Sequence, residues 1–300
     1  MQTSLPDKDL SKLTGFSMNM PYKAAAIAAF TLLFSAGNIL GGGISADAGL
    51  TPAQDKWIVR TQIRLMQRGD DTSPMQREMR MYMTPLVVAY GLRPELTLMV
   101  RQVFVSRTMT MKGVDTETSG LNDLFVLAKY RAYRKNTRSY TIGLAPSLGV
   151  SLPTGATGIG SKAVNLALGM NGSYRRGTWA VDANFEIGID GVAGKEGEYT
   201  RGETLSFVTA LAHQFPVGTG ARNALAPVLE INYVHAGPRR LLGAELPNSG
   251  ESYVQLSPGF KFTHSSLILE TLVQVPIWQD QEGTQTELEV SGLIGVRLMF

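Results

Sequence analysis

Cysteine is absent from the 300-residue chain, and histidine occurs only three times. Disulfides, thiol catalysis and Cys-ligated metals are thereby excluded, and a thiol-free chain suits passage through an oxidising periplasm. Charge is also scarce: Asp, Glu, Lys and Arg form 18% of the residues, and the formal net charge is +3. There is no dense Lys/Arg stripe, so nothing points to a nucleic-acid partner. A disordered chain would be more charged. A helical membrane protein would be more apolar than 44% hydrophobic residues with mean hydropathy near zero. Glycine is plentiful at 32 residues, which suits strands that are half apolar and half wet.

Only one long hydrophobic run occurs, from Ala24 to Leu40. Lys23 precedes it, and Gly41-Gly42-Gly43 and Ala46-Asp47-Ala48 follow. A charged start, an apolar middle and a small-x-small end form a secretory signal, so residues 1–48 read as a leader cleaved after Ala48. Gly37 and Asn38 interrupt the run and argue against an uncleaved membrane helix. Residues 1–17 make an odd beginning for a leader, and translation from Met18 or Met20 would shorten it.

Residues 49–300 carry a different signal. From Trp57 onward, alternation and turn residues recur about every 18 to 22 residues, giving about twelve strands. Trp179, Val181, Ala183, Phe185, Ile187 and Ile189 alternate with Asp182, Asn184, Glu186 and Asp190. The last segment, Glu287 to Phe300, sets Leu288, Val290, Ile294, Val296, Leu298 and Phe300 opposite Glu287, Glu289, Ser291 and Arg297. Short connections, such as 91–94, 134–138 and 175–177, alternate with longer ones, such as 108–119, 190–202 and 236–250. Short periplasmic turns with long external loops are the asymmetry of outer-membrane barrels. The expected fold is therefore all-β, a transmembrane antiparallel up-and-down β-barrel over residues 49–300.

Aromatic placement supports the same reading. Trp57, Tyr90, Tyr130, Tyr140, Tyr174, Trp179, Phe215, Phe262 and Phe300 all fall at the short-turn end, on the lipid-facing parity. A ring of amphipathic aromatics belongs at a membrane interface, whereas a soluble sandwich has no use for one.

On the opposite parity, early strands supply Arg60, Arg64, Arg80, Arg101 and Lys129, beside Asp123. Later strands supply Asp182, Glu186, Glu230, Lys261, Glu270, Glu287 and Glu289. These are the candidate lumen residues. Closing the barrel would bring Glu287 and Glu289 towards Arg64 and Arg68. Opposed basic and acidic walls would orient a polar solute, while mutual pairing would simply fill the interior.

Catalytic signals are weak. His264-Ser265-Ser266 has the His-x-Ser spacing of barrel lipid hydrolases, but it lies in a short turn and Leu267 stands where those enzymes carry Asn. No metal-ligand spacing is present, and Gly155 to Gly160 is not followed by the helix that a phosphate cradle needs. Neither cofactor nor metal is expected.

Gly120-Leu121-Asn122-Asp123, then Ala128-Lys129-Tyr130-Arg131, then Leu148-Gly149-Val150-Ser151-Leu152-Pro153-Thr154-Gly155 resemble motifs of a known family. It is the outer-membrane family of the meta-pathway of phenol degradation, whose members are described as transporters. Tyr90-Gly91-Leu92 fits the same pattern. Asn122 replaces the usual middle glycine, and an acidic residue expected after Thr154-Gly155 is missing. The resemblance implies a barrel that admits small hydrophobic or aromatic molecules.

The sequence thus points to an outer-membrane barrel of a Gram-negative bacterium that passes small molecules. Its expected partners are outer-membrane lipid, a small-molecule solute and, through the C-terminal strand, the barrel-assembly machinery. A structural or surface-interaction barrel acting through its external loops is the alternative, and a lipid hydrolase a more remote one.

Overall fold

The computed structural model describes residues 42–71, 73–194, 200–218 and 223–300. Most of the leader therefore lies outside the described residues. The described chain contains strands and no helix. Twelve strands close into one antiparallel barrel: β1 Trp57–Gly69, β2 Glu78–Gly91, β3 Leu96–Met111, and β4, broken into Val114–Leu121, Leu124–Tyr130 and Tyr133–Asn136. Next come β5 Thr141–Leu152, β6 Ala163–Arg176, β7 Trp179–Gly194, and β8, formed by Thr204–His213 and Phe215–Pro216. The remainder are β9 Asn223–Ala236, β10 Glu251–His264, β11 Leu267–Gln281, and β12, formed by Glu287–Leu288 and Ser291–Met299.

Each strand pairs with its sequence neighbour, and β12 returns to β1, for example Arg64 opposite Leu293 and Ile58 opposite Met299. Closure matters because hydrocarbon offers no partner to an unpaired backbone N–H or C=O. Pleating then sorts the side chains. On β1, Ile63 is 55% exposed towards lipid while Gln62 is 3% exposed towards the lumen.

The aromatic positions lie together at the short-turn end. Trp57 packs on Tyr90 with ring centroids 4.5 Å apart, and Tyr140 on Tyr174 at 6.1 Å. Leu225 aligns with both Phe215 and Phe262. Tyr130 lies opposite Leu96, and Trp179 opposite His213. Trp57 and Phe300 exchange backbone hydrogen bonds at the seam.

Several expectations need correction. Arg80 shares the parity of Tyr82 and Leu86, which are 51% and 48% exposed, so it faces outward and not into the lumen. The parity it shares with Tyr90 marks it as lipid-facing, so the alternation itself opposes the lumen assignment. β12 does not alternate without interruption. Arg68 lies opposite Leu288 but Leu65 opposite Gly292, so one extra residue intervenes between the two parts of the strand. That bulge turns Leu288 to a buried position, 3% exposed, and sets Glu287 opposite Gly69. The turn expected at 134–138 lies instead between Asn136 and Thr141.

Nor is the interior uniformly wet. Ala180, Ala212, Val228, Leu272 and Leu293 form a buried apolar cluster on the inner wall, completed by Ile44. Ile44 is not on a strand at all.

Candidate functional site

The lumen is crossed by the chain's own segment from Gly42 to Pro52. Its backbone N–H groups meet inward-facing acceptors in succession. Gly43 donates to Asp182 Oδ2 at 2.8 Å, and Ile44 to Glu230 Oε1 at 2.5 Å. Ser45 donates to both Glu230 oxygens, Asp47 to Asn184 Oδ1 at 2.6 Å, and Gly49 to Ser173 Oγ at 2.8 Å. In the other direction, Arg60 Nη2 donates to the Ile44 carbonyl and Lys129 Nζ to that of Ala48 at 3.0 Å. An irregular segment without ladder partners is tolerated at membrane depth only when it is satisfied in this way.

Glycine permits the close fit. A Cβ on Gly43 would meet Ala46 and Ala210 at 2.6 and 2.8 Å, and one on Gly49 would meet the Gly143 carbonyl oxygen at 2.6 Å. Residues that the sequence assigns to the end of the leader therefore occupy the barrel.

Around this segment three of the thirteen candidate charges, Arg60, Asp182 and Glu270, form ion pairs among the described residues. Glu270 accepts from Arg60 Nε at 2.5 Å, Gln62 Nε2 at 2.6 Å and Arg297 Nη2 at 3.1 Å. Asp182 takes Arg175 Nη2 at 2.7 and 2.9 Å and the Ser173 hydroxyl at 2.5 Å. Arg68 forks onto Glu251 at 2.7 and 2.6 Å. The last strand does lie beside the first, with Arg68 opposite Leu288, but no ion pair forms between Glu287 or Glu289 and Arg64 or Arg68 among the described residues. Instead Arg64 Nε donates to Gln62 Oε1, and Glu289 gives its backbone N–H to the Gln67 carbonyl.

Other candidates have different surroundings. Arg101 lies 4.4 Å from the centroid of the Phe125 ring, and its inward parity is shared across the lumen by Glu186 on β7. Lys261 is buried at 2% exposure towards the short-turn end of β10. Asp123, although inward, organises an external loop. It accepts the Gly155 N–H at 2.8 Å and the Ser161 N–H and hydroxyl at 2.7 Å each. His264 Nδ1 is bonded to Asn223 Oδ1 at 2.6 Å.

Outside the membrane span, Asp71 in the β1–β2 loop binds Arg77 Nε at 2.8 Å. That guanidinium, helped by Ser73 and two backbone N–H groups, holds the carboxyl well below the usual carboxylate range.

Sequence reasoning missed Gln62, Arg175, Glu251 and Arg297 as network members. All four lie on the inward parity of their strands, but the closed barrel sets their partners: Gln62 meets Glu270 two strands away and Glu251 meets Arg68 three strands away, whereas Arg175 and Asp182 lie on adjacent strands.

Below the segment, towards the short turns, a cavity of about 700 Å³ remains. Arg60, Lys129, Arg134, Arg138, Arg175 and Arg297 line it, against Asp47 and Asp182.

A barrel of this kind, with a polar and partly filled interior, is an outer-membrane-type β-barrel. The chain belongs to the family described as "Putative MetA-pathway of phenol degradation", whose model matches residues 82–266. No curated protein matches the sequence. Among solved structures, it is similar to an outer-membrane channel from Pseudomonas putida F1. The two share 15% identity with a TM-score of 0.62, over 87% of this chain and 100% of that one. It is also similar to the β domain of the Bordetella autotransporter BrkA, with 13% identity and a TM-score of 0.50, over 83% of this chain and 100% of that one.

Proposed function

We propose that the protein is an outer-membrane channel of a Gram-negative bacterium for passive movement of small molecules, narrowed at rest by residues 42–52. One observation carries this reading. The lumen is blocked by a short irregular segment held through hydrogen bonds, with a 700 Å³ cavity beside it, and not by a continuous packed core. A barrel built only as a scaffold would gain more by filling that volume with its own wall side chains. The family membership and the channel function of the similar Pseudomonas putida F1 protein support the same reading. Outer-membrane lipid surrounds the aromatic ends, and β12 with its terminal Phe300 is the element offered to the assembly machinery.

Purified protein in planar bilayers is expected to give discrete conductance steps. Removal of residues 42–52 is expected to enlarge them about two-fold or more, since widening the narrowest section dominates the resistance of a pore. Absence of both conductance and solute flux in liposomes would overturn the channel reading.

A further inference from the structure

The cavity on the short-turn side has an internal organisation that charge balance alone does not explain. Two rows of inward side chains run across β2, β3 and β4. In one row Thr97 lies directly opposite Lys129. In the next, two residues deeper, Ala89 lies opposite Met99 and Met99 opposite Leu127. All five residues line the cavity. A cationic, hydroxylated row thus borders an apolar one at a spacing of about 7 Å, two residues along a strand.

The polar row is under-used. Lys129 is 9% exposed and donates to the neutral Ala48 carbonyl, but it makes no ion pair with the described residues. Thr97 is 3% exposed, and its hydroxyl has no hydrogen-bond partner among them. A buried hydroxyl without a partner is a cost that a fold rarely tolerates unless something else accepts from it. Nearer the mouth, Arg134 and Arg138 add two further cations without ion pairs among the described residues. Cations that run from an exposed rim to a buried floor draw anions inward, and low-dielectric walls strengthen that pull.

We infer that this vestibule is a binding site for small amphipathic carboxylates. The carboxylate sits between Lys129 Nζ and the Thr97 hydroxyl, and the apolar body lies on Ala89, Met99 and Leu127. Both rows belong to the barrel wall and residues 42–52 cover them, so the site is that of the chain that keeps this segment. The inference deepens the channel reading, on which it rests for the idea that a bound solute goes on to cross.

Benzoate and the neutral, nearly isosteric benzamide are suitable probes. Binding is measured by saturation-transfer NMR on the full-length protein in detergent micelles, and the same preparation is tested for conductance. Benzoate is expected to bind saturably, and benzamide about tenfold more weakly, because it forgoes the charge-assisted contact. Lys129→Gln is expected to weaken benzoate by about tenfold while leaving benzamide unchanged. Thr97→Val removes a hydroxyl that bonds nothing among the described residues, so folding is expected to be preserved. It should still weaken benzoate by about threefold to tenfold.

Equal binding of the two probes, or benzoate binding indifferent to both substitutions, would overturn the inference. Conductance without selective benzoate binding would remove the site and leave the channel. Selective benzoate binding without conductance or flux would keep the site and remove the channel.

Discussion

Ile44 donates its backbone N–H to a Glu230 carboxylate that has no exposed surface. One of the most buried charges in the lumen is therefore satisfied by a stretch of chain that is not part of the wall. Ser45 supplies two further contacts to the same carboxylate. Cleavage after Ala48 would remove all three and open that carboxylate to the lumen. A mature chain that keeps these contacts would have to begin upstream of Gly43. Intact-mass measurement of protein purified from outer membranes is expected to show a mature chain that retains Gly43 to Ala48. A chain beginning at Gly49 would refute this.

Glu230→Gln tests the hold on the segment itself. The amide keeps the volume but loses the negative charge and one acceptor, weakening docking by about 1–3 kcal/mol. Tenfold corresponds to about 1.4 kcal/mol, so the undocked population should rise by about one order of magnitude. Longer or larger openings in single-channel records are the expected readout. Wild-type gating in the variant would show that Glu230 does not restrain the segment.

Glu270 is the shared partner of Arg60 and Arg297, and it is 3% exposed. Glu270→Gln leaves two guanidinium groups uncompensated and is expected to lower stability by about 3 kcal/mol. Arg64→Gln removes a cation that makes no ion pair among the described residues and is expected to cost under about 1 kcal/mol. Denaturant titration in micelles compares the two. The first substitution should also move permeability towards anions, read from the reversal potential across a salt gradient.

The wall of this barrel was legible in the sequence, because lipid and lumen impose a period of two that composition cannot hide. Trp179 to Ile189 declares both faces without a structure. Parity fails where a single residue is inserted, as before Ser291. Partnership inside the lumen was not legible. Glu251 reaches Arg68 from a strand that is not its hydrogen-bonded neighbour, and only the closed geometry makes that approach.

The segment from Gly42 to Ala48 carries two readings for a physical reason. Small residues are what a signal peptidase requires, and they are also what a chain threading a narrow lumen requires. Gly43 and Gly49 meet the second requirement by their close approach to Ala210 and the Gly143 carbonyl.

Gly149 is a further point of close approach. A Cβ there would collide with the Phe125 ring, which lies over the Gly149 backbone and carries the Arg101 guanidinium 4.4 Å from its centroid. Gly149→Val is expected to displace the ring, separate it from Arg101, and cost about 1–3 kcal/mol. Gly292→Ala, which meets only the Leu272 carbonyl oxygen at 3.5 Å, is expected to be nearly neutral. Thermal melts in micelles distinguish the pair, and equal melting temperatures would contradict the packing described for Phe125.

Asp71 gives the external loop a defined response to acid. Arg77 holds the carboxylate from within the loop and reaches the Thr284 carbonyl at 2.9 Å, tying the β1–β2 loop to the β11–β12 loop. Hydrogen bonding from the Arg77 guanidinium is the main cause of the depressed pKa. A carboxyl with a lowered folded-state pKa contributes stability that is complete above its unfolded value, about 4, and is lost as pH falls towards the folded value. Hydrogen exchange in residues 70–77 should therefore be protected equally at pH 7 and pH 5, after correction for the intrinsic rate, and protection should decline only below about pH 4. Asp71→Asn should expose the loop at every pH and abolish that decline, because the amide neither titrates nor attracts the guanidinium. Loss of protection between pH 7 and pH 5 in the unsubstituted protein would mean that another group controls the loop.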